Sequence, residues 1–483
     1  NKLSEKISRL RYVDVETIGP SKLLTTLTSD IDSIKMFVSM GIVSIVSSLA
    51  IIIGASVLLL SLNWRLGLLV LLIIPIIGFT FFFIFSKVKV LFLRTREVVD
   101  KLNKVINESI LGAAIIRVVN AQEQQYRTFM GVNTEARSVG LSILALFAAL
   151  IPIITFVAGL ATLAVVVLGG HFVIVDTMSL GEFTAFYSYI AMLIFPIIII
   201  GFMSNLIAQA SASHVRLQGV LATPEFPPTG IDMSDIKGAI SLDHVTMIYG
   251  EKSALNDVTF TLEPGTKTAI IGPTAAGKSQ LLYTLTGLIT PTSGTIEYDG
   301  KPITAYDADR FYTQVGFVFQ DSSMFNMSIR ENIAFNTSVS DESLARAIET
   351  AELTDFIDTL PQGLETIVSE RGTSLSGGQK QRIMLARALA MNPKVLLLDD
   401  FTARVDTKTE TAILKNISNN YPGLTLISVT QKIATVSEYD SIIVLMEGEL
   451  LAQGTHRELM EISPEYVQMY NSQQSTNTYE VRT

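Results

Sequence analysis

The sequence contains no cysteine, which excludes disulfides, thiolate chemistry and cysteine-held metals. Positive charge is also short. Lys and Arg number 36 against 45 Asp and Glu, giving a net charge of −9 and a pI near 5.2. That balance argues against a polyanion-binding surface over the whole chain, so no nucleic acid partner is expected. The chain also lacks an initiator Met and a signal-peptide pattern, opening on the charged amphipathic stretch NKLSEKISRLRYVDVE. The natural start is expected to lie further upstream.

What the first half lacks most is charge inside its apolar runs. Mean hydropathy is +0.42 over 483 residues, an average best explained by two unlike parts. Four long apolar runs, at 40–62, 66–86, 141–168 and 184–208, each meet the length of about 20 residues needed to cross a hydrocarbon core. Pro75, Pro152 and Pro196 lie within them, as membrane helices tolerate. Between the second and third runs stand Lys87, Lys89, Arg94, Arg96, Lys101, Lys104, Arg117, Arg127 and Arg137, whereas 169–183 carries no Lys or Arg. Positive charge marks the cytoplasmic side, with Arg65 the lone exception. The intervening 55 or so residues read as helix, so both membrane helices are expected to extend far into the cytoplasm.

From residue 221 the composition changes. ATPEFPPTGIDMSDIKG reads as an interdomain linker, and beyond it short aliphatic runs alternate with helical patterns, as in a mostly parallel α/β sheet. The expected organisation is a membrane domain over 1–220, a linker over 221–234 and an α/β domain over 235–483.

The run TKTAIIGPTAAGKSQLL reads as strand, turn and helix start. Gly272, Gly277, Lys278 and Ser279 satisfy the spacing G-x-x-x-x-G-K-S, in which backbone amides cradle phosphates, the lysine reaches the terminal ones and the serine holds Mg²⁺. Pro273, Thr274, Ala275 and Ala276 complete the loop and Gln280 follows it. Ala275 occupies a place often given to glycine, which stiffens the turn. Upstream, Tyr249 is a candidate to stack on adenine, against the alternative of a plain surface tyrosine. Gln320 ends VGFVFQ, within reach of the Mg²⁺ or the attacking water. In LSGGQKQRIMLARAL, Ser376, Gly377 and Gly378 present a hydroxyl and backbone amides at a helix start, suited to phosphate; a simple N-cap is the alternative.

The ordered set GPTAAGKS, Gln320, LSGGQ, VLLLDD and GTHRELM resembles the nucleotide-binding domain of an ATP-binding cassette (ABC) transporter, over 235–470. The preceding part resembles the membrane domain of the ABC exporter class. The resemblance implies an α-helical transmembrane domain followed by an α/β P-loop domain, with ATP and Mg²⁺ as ligands. It also implies a sandwich in which each ATP lies between the phosphate loop of one domain and the LSGGQ of the other. Exporter half-transporters have six membrane helices, so four of six are expected here, with about 100 N-terminal residues lying outside this chain.

Against the family pattern two residues depart. Asp399 matches the Mg²⁺-binding aspartate, but Asp400 stands where a catalytic glutamate is usual. Gln431, in LTLISVTQKIATV, falls at the position of a histidine, and none of His171, His214, His244 or His456 lies there. Aspartate withdraws the carboxylate by one methylene, and glutamine removes a cationic or tautomeric donor at the terminal phosphate. Of the family's Ser-Ala-Leu-Asp only Asp406 survives, after Ala403, Arg404 and Val405. With the LSGGQ intact, including Gln379, the pattern resembles the degenerate half of a heterodimeric exporter. Its partner would supply the glutamate and histidine.

The expected role is export of apolar or amphipathic compounds (drugs, lipids or peptides) from a multi-pass position in a bacterial inner membrane, with the ATPase domain cytoplasmic. Phe147, Phe156, Phe186, Tyr187, Tyr189, Phe195 and Phe202 are candidates to line the cavity. The alternatives are a homodimeric lipid or drug flippase, and an ATP-gated channel or regulatory ATP-binding subunit.

Overall fold

A computed structural model describes residues 2–225, 230–250, 252–321, 323–336, 338–368 and 375–480; residues 226–229 of the expected linker lie outside them. The chain divides into two compact units, one of residues 1–7 and 18–223, the other of residues 8–17 and 224–483.

The first unit is helical. Among the described residues four spans are long and apolar enough to cross a membrane: Pro20–Leu62, Trp64–Leu111, Gln122–Ile174 and Leu180–Ala222. The second and third have 48 and 53 residues. At 1.5 Å per residue they reach about 72 and 80 Å, against a hydrocarbon core of about 30 Å. Most of the basic segment between the apolar runs is therefore helix, and these helices do extend well beyond a bilayer. Local sequence sets the ends. Asn63 turns out of helical geometry and its side chain accepts hydrogen bonds from the amides of Arg65 and Leu66. Ser179 and Glu182 form a reciprocal cap that opens the fourth span.

Leu59, Leu66, Val70, Ile77, Leu150, Val165, Phe186 and Leu193 pack at the centre of this unit. Large apolar side chains also stand on outer faces, with Phe79, Phe82 and Phe195 each at least 70% exposed, as lipid-facing helices require. The candidate cavity aromatics do not gather together. Phe186 is fully buried among helices, Phe156, Tyr187 and Phe195 are exposed, and Phe147 stacks on Phe202 in a cluster with Phe81 and Phe85. Tight packing inside a helical bundle uses the same ring types as a cavity wall, which is why sequence alone did not separate them. Asp30 is buried, bound by Ser213 Oγ at 2.9 Å and by the Arg216 guanidinium, whose Nε is also 2.9 Å away.

The second unit holds two sheets. Strands β1 (Ile240–Tyr249), β2 (Lys252–Leu262), β4 (Ser293–Tyr298) and β5 (Lys301–Pro302) form an antiparallel sheet in the order β2-β1-β4-β5. Strands β3 (Lys267–Ile271), β6 (Val315–Val318), β7 (Val395–Asp399), β8 (Thr425–Val429), β9 (Ser441–Met446) and β10 (Glu449–Gly454) form the other, in the order β10-β9-β3-β8-β7-β6. All pairings in it are parallel except that of β10 with β9. Strands β3, β7 and β8 are buried on both faces, which explains the aliphatic runs Ala269–Ile271 and Val395–Leu398 and the lack of a polar-apolar alternation. Helices α1 (Lys278–Leu285), α2 (Gly377–Ala390), α3 (Thr407–Asn420) and α4 (Pro464–Glu480) bear on the site below. The connections leaving the C-terminal ends of β3, β7 and β8 meet, which is where open parallel sheets bind ligands.

Candidate nucleotide-binding site

The chain leaves β3 through a loop that only particular backbone angles allow. Gly272 has φ 153° and Gly277 φ 94°; a Cβ on Gly272 would lie 2.0 Å from the carbonyl oxygen of Leu445, and one on Gly277 2.3 Å from that of Ala254. Both positions need glycine. Ala275 adopts φ 65° in the same left-handed region, so its methyl is held at a conformational cost within the loop. Helix α1 starts at Lys278 with no side chain capping its first amides. Those amides and the helix dipole suit an anion.

The loop walls a cavity of about 310 Å³, lined by Thr274 to Gln280, Gln320, Asp399, Asp400 and Gln431 together with Ala254 and Val429. The carbonyl oxygens of Gly272 and Pro273 accept from Lys278 Nζ at 2.8 and 2.7 Å. Ser279 Oγ donates to Asp399 Oδ1 at 3.1 Å. Gln320 is tied to α2, its carbonyl accepting from Gln381 Nε2 at 3.0 Å. Asp400 follows β7 at φ 46° and ψ 38°, a left-handed turn that starts the loop to Asp406.

Burial governs the electrostatics. It pushes the Asp399 carboxyl up, opposed by the Ser279 hydroxyl and Lys278, while Asp400 pushes it further up. The Asp400 carboxyl is likewise raised by burial and held down by Lys278 and Lys432. Lys278 is lowered by burial and supported by the two carboxylates. One lysine thus stabilises two adjacent acids, and removing it would leave both without their shared cation.

Mg²⁺ fits the donors present. Asp399 is 1% exposed, and its Oδ2 is buried without a hydrogen-bond partner while Oδ1 already meets Ser279. An orphaned carboxylate oxygen beside a serine hydroxyl and Gln320 is a hard-oxygen set of the kind Mg²⁺ takes alongside phosphate and water. Among the described residues no cluster of three His, Asp or Glu competes for a metal.

Other sequence candidates lie apart from this cavity. Ser376 forms a reciprocal cap with Gln379, whose amide donates to Ser376 Oγ at 3.2 Å while Gln379 Oε1 accepts from the Ser376 amide at 2.8 Å. The simple N-cap is therefore realised, and this turn does not line the Lys278 cavity. Gly377 and Gly378 have a packing reason as well, since a Cβ on Gly378 would meet the Arg404 carbonyl oxygen at 2.8 Å. Asp406 caps α3 by accepting from the Thr409 amide at 3.0 Å. Tyr249 is 41% exposed and its hydroxyl donates to Gln280 Oε1 at 2.9 Å, beside the loop but outside the cavity lining.

Two neighbours escaped notice in the sequence. Lys432 directly follows Gln431, and its Nζ lies 3.2 Å from Glu410 Oε2 and 3.4 Å from the Thr402 carbonyl oxygen. Its place beside Gln431 was the only available signal. Tyr12, in a short helix Tyr12–Ile18, packs its ring 6.0 Å from that of Tyr283 on α1. Nothing in its local sequence announces that contact.

Comparison with known proteins identifies the family. The pattern of the ABC transporter family matches residues 255–403, and that of the ABC transporter transmembrane region matches 2–197. An uncharacterized ABC transporter ATP-binding protein of Bacillus subtilis (strain 168), YknU, is 31% identical over 480 residues, 98% of this chain and 82% of its own length. An ATP-dependent lipid A-core flippase of Vibrio vulnificus (strain YJ016) is 29% identical over 470 residues, 96% of this chain and 80% of its own. A bacterial Atm1-family ABC exporter with ATP bound shares the fold, with a TM-score of 0.82 at 23% identity over 98% of this chain and 84% of that one. The chain belongs to the ABC transporter family, as an exporter-type half-transporter. It is a multi-pass integral membrane protein with an ATP-binding ATPase domain coupled to transport.

Proposed function

We propose that the chain is a subunit of an ATP-driven exporter of apolar or amphipathic compounds, and that the site built on Lys278 binds Mg²⁺ and ATP while hydrolysing slowly. The observation that carries this reading is the pairing of Asp400 and Gln431 in one cavity with Lys278, Ser279 and Asp399. Lys278 neutralises the terminal phosphates, and the α1 amides orient them. Ser279, Asp399 and Gln320 would hold Mg²⁺, which when bound would supply charge neutralisation to the phosphates. Among the described residues Asp400 is the only carboxylate besides Asp399 lining that cavity, and its reach is one methylene short of a glutamate's. Gln431 offers an uncharged amide toward the terminal phosphate.

In this reading a partner half-transporter carries the glutamate and histidine. This chain lends it Ser376, Gly377, Gly378 and Gln379, and Asp406 faces the dimer. ATP favours the closed pair because it binds that state better. The cytoplasmic helix extensions carry closure to the membrane. Their turn supports the role, exposing Leu111, Ile115 and Val118 at 87%, 69% and 84%, more apolar surface than an unpartnered loop tip needs. The bacterial relatives support a location in the inner (plasma) membrane. Near-absence of charge in the apolar runs favours lipid, drug or apolar peptide cargo over ions.

A second reading is a homodimeric lipid or drug flippase. It is favoured by the likeness to a lipid A-core flippase and by Asp400 remaining a carboxylate in the cavity. ATP turnover by the full-length chain alone in lipid discs, with Asp400→Asn as control, separates the two. Binding with negligible turnover is expected. Turnover on the order of 1 to 10 per second, abolished by the substitution, would establish the homodimer instead.

A further inference from the structure

The turn from Gln431 to Ile433 is held by a side chain from the far end of the chain. Gln473, on α4, donates from Nε2 to the Gln431 carbonyl oxygen at 2.6 Å and accepts at Oε1 from the Ile433 amide at 2.9 Å. Both ends of one amide thus grip the backbone on either side of Lys432. From the other side, Lys432 reaches Glu410, which is 2% exposed, and the Thr402 carbonyl oxygen. Helix α4 is anchored independently, because Tyr466 is fully buried and its hydroxyl bonds His456 Nδ1 at 2.5 Å. The grip therefore fixes the turn to an element with its own foothold. The backbone that carries Gln431 is tied at its own carbonyl oxygen and two residues further on at the Ile433 amide.

We propose that Gln473 is a positioning residue for Gln431, so that the C-terminal helix α4 sets how well the Lys278 cavity distinguishes a nucleoside triphosphate from a diphosphate. This rests on the cavity being the ATP site. Gln473 touches no phosphate; it acts through the backbone of the residue that does.

The test uses the full-length protein in lipid discs and measures affinities for ADP and for a slowly hydrolysed γ-thio analogue of ATP. Gln473→Ala is expected to lower the triphosphate-to-diphosphate affinity ratio roughly three- to tenfold, the range of one hydrogen bond, with ADP affinity unchanged. Gln431→Ala is expected to lower it as well, and the double variant to fall no further, because the two act as one unit. Gln473→Glu retains the acceptor for Ile433 but loses the donor to Gln431, and is expected to show most of the same loss. An unchanged ratio in Gln473→Ala or Gln473→Glu overturns the proposal. So does an equal, additive drop on the Gln431→Ala background, which would make Gln473 a purely structural residue. A different pattern marks failure of the ATP-site reading itself: wild type that binds neither nucleotide, or Lys278→Ala that binds both as wild type does. Either sinks both proposals together.

Discussion

Two helix starts in the second unit look alike in sequence and differ in construction. Helix α1 begins after Gly277 with no side-chain cap, on a loop strained at Ala275, facing a cavity with two carboxylates and a lysine. Helix α2 begins after Ser376 with its cap closed by Gln379, and the cavity does not reach it. The first is unfinished within its own chain, down to an orphaned oxygen on Asp399. The second satisfies part of itself and leaves its glycines to pack on the Arg404 segment. A glycine-rich helix start is thus ambiguous on its own. What marks a ligand site is polar groups that converge without partners.

The largest expected effect lies at Lys278, at the start of α1. Lys278→Ala is expected to reduce ATP affinity by about 100-fold or more, by removing a charge-assisted contact and leaving Asp399 and Asp400 adjacent without their cation. Nucleotide titration of the purified protein reads this directly. Next is Gly378→Ala, whose Cβ would press on backbone rather than on a flexible side-chain end. About 1–3 kcal/mol of destabilisation is expected, seen as a lower melting temperature, with ATP binding at Lys278 retained. The smallest effect is that of Ser376→Ala, about 1 kcal/mol from the lost cap. A far larger fall in the transport complex's ATPase, with melting almost unchanged, would show that Ser376 also serves a nucleotide across the dimer. In the membrane unit, Asp30→Ala sharpens the same point about convergence. It removes the shared partner of Ser213 and Arg216 and is expected to cost about 1–3 kcal/mol, read as earlier thermal unfolding in detergent.

Much of this was legible in residue order. The four membrane spans followed from charge-free length, the long helix extensions from basic helix-forming sequence, and the tight turn between β3 and α1 from glycine spacing ahead of Lys278. That Asp400 and Gln431 belong with that loop was implied by the family resemblance alone; the structure supplies the reason, since β3, β8 and β7 are successive neighbours in a parallel sheet and their C-terminal ends meet. What stayed hidden depends on long-range packing. Gln473 lies 42 residues from Gln431, in a helix whose own sequence is polar and unremarked. Glu410 reads as an ordinary surface helix residue until Lys432 is found against it. The aromatic candidates divide for a related reason, since a phenylalanine such as Phe186 reads the same whether it fills a core or lines a cavity.

We propose that Asp400 and Gln431 slow hydrolysis at a site otherwise equipped for it. The most direct measurement is ATP turnover by Asp400→Glu/Gln431→His in the full-length chain, compared with wild type in the same lipid discs. Restoring the methylene and the imidazole is expected to raise turnover by about 100-fold while nucleotide affinity stays within a few-fold. No increase, with ATP still bound and the protein equally stable, would contradict the claim and move the cause of slow hydrolysis elsewhere.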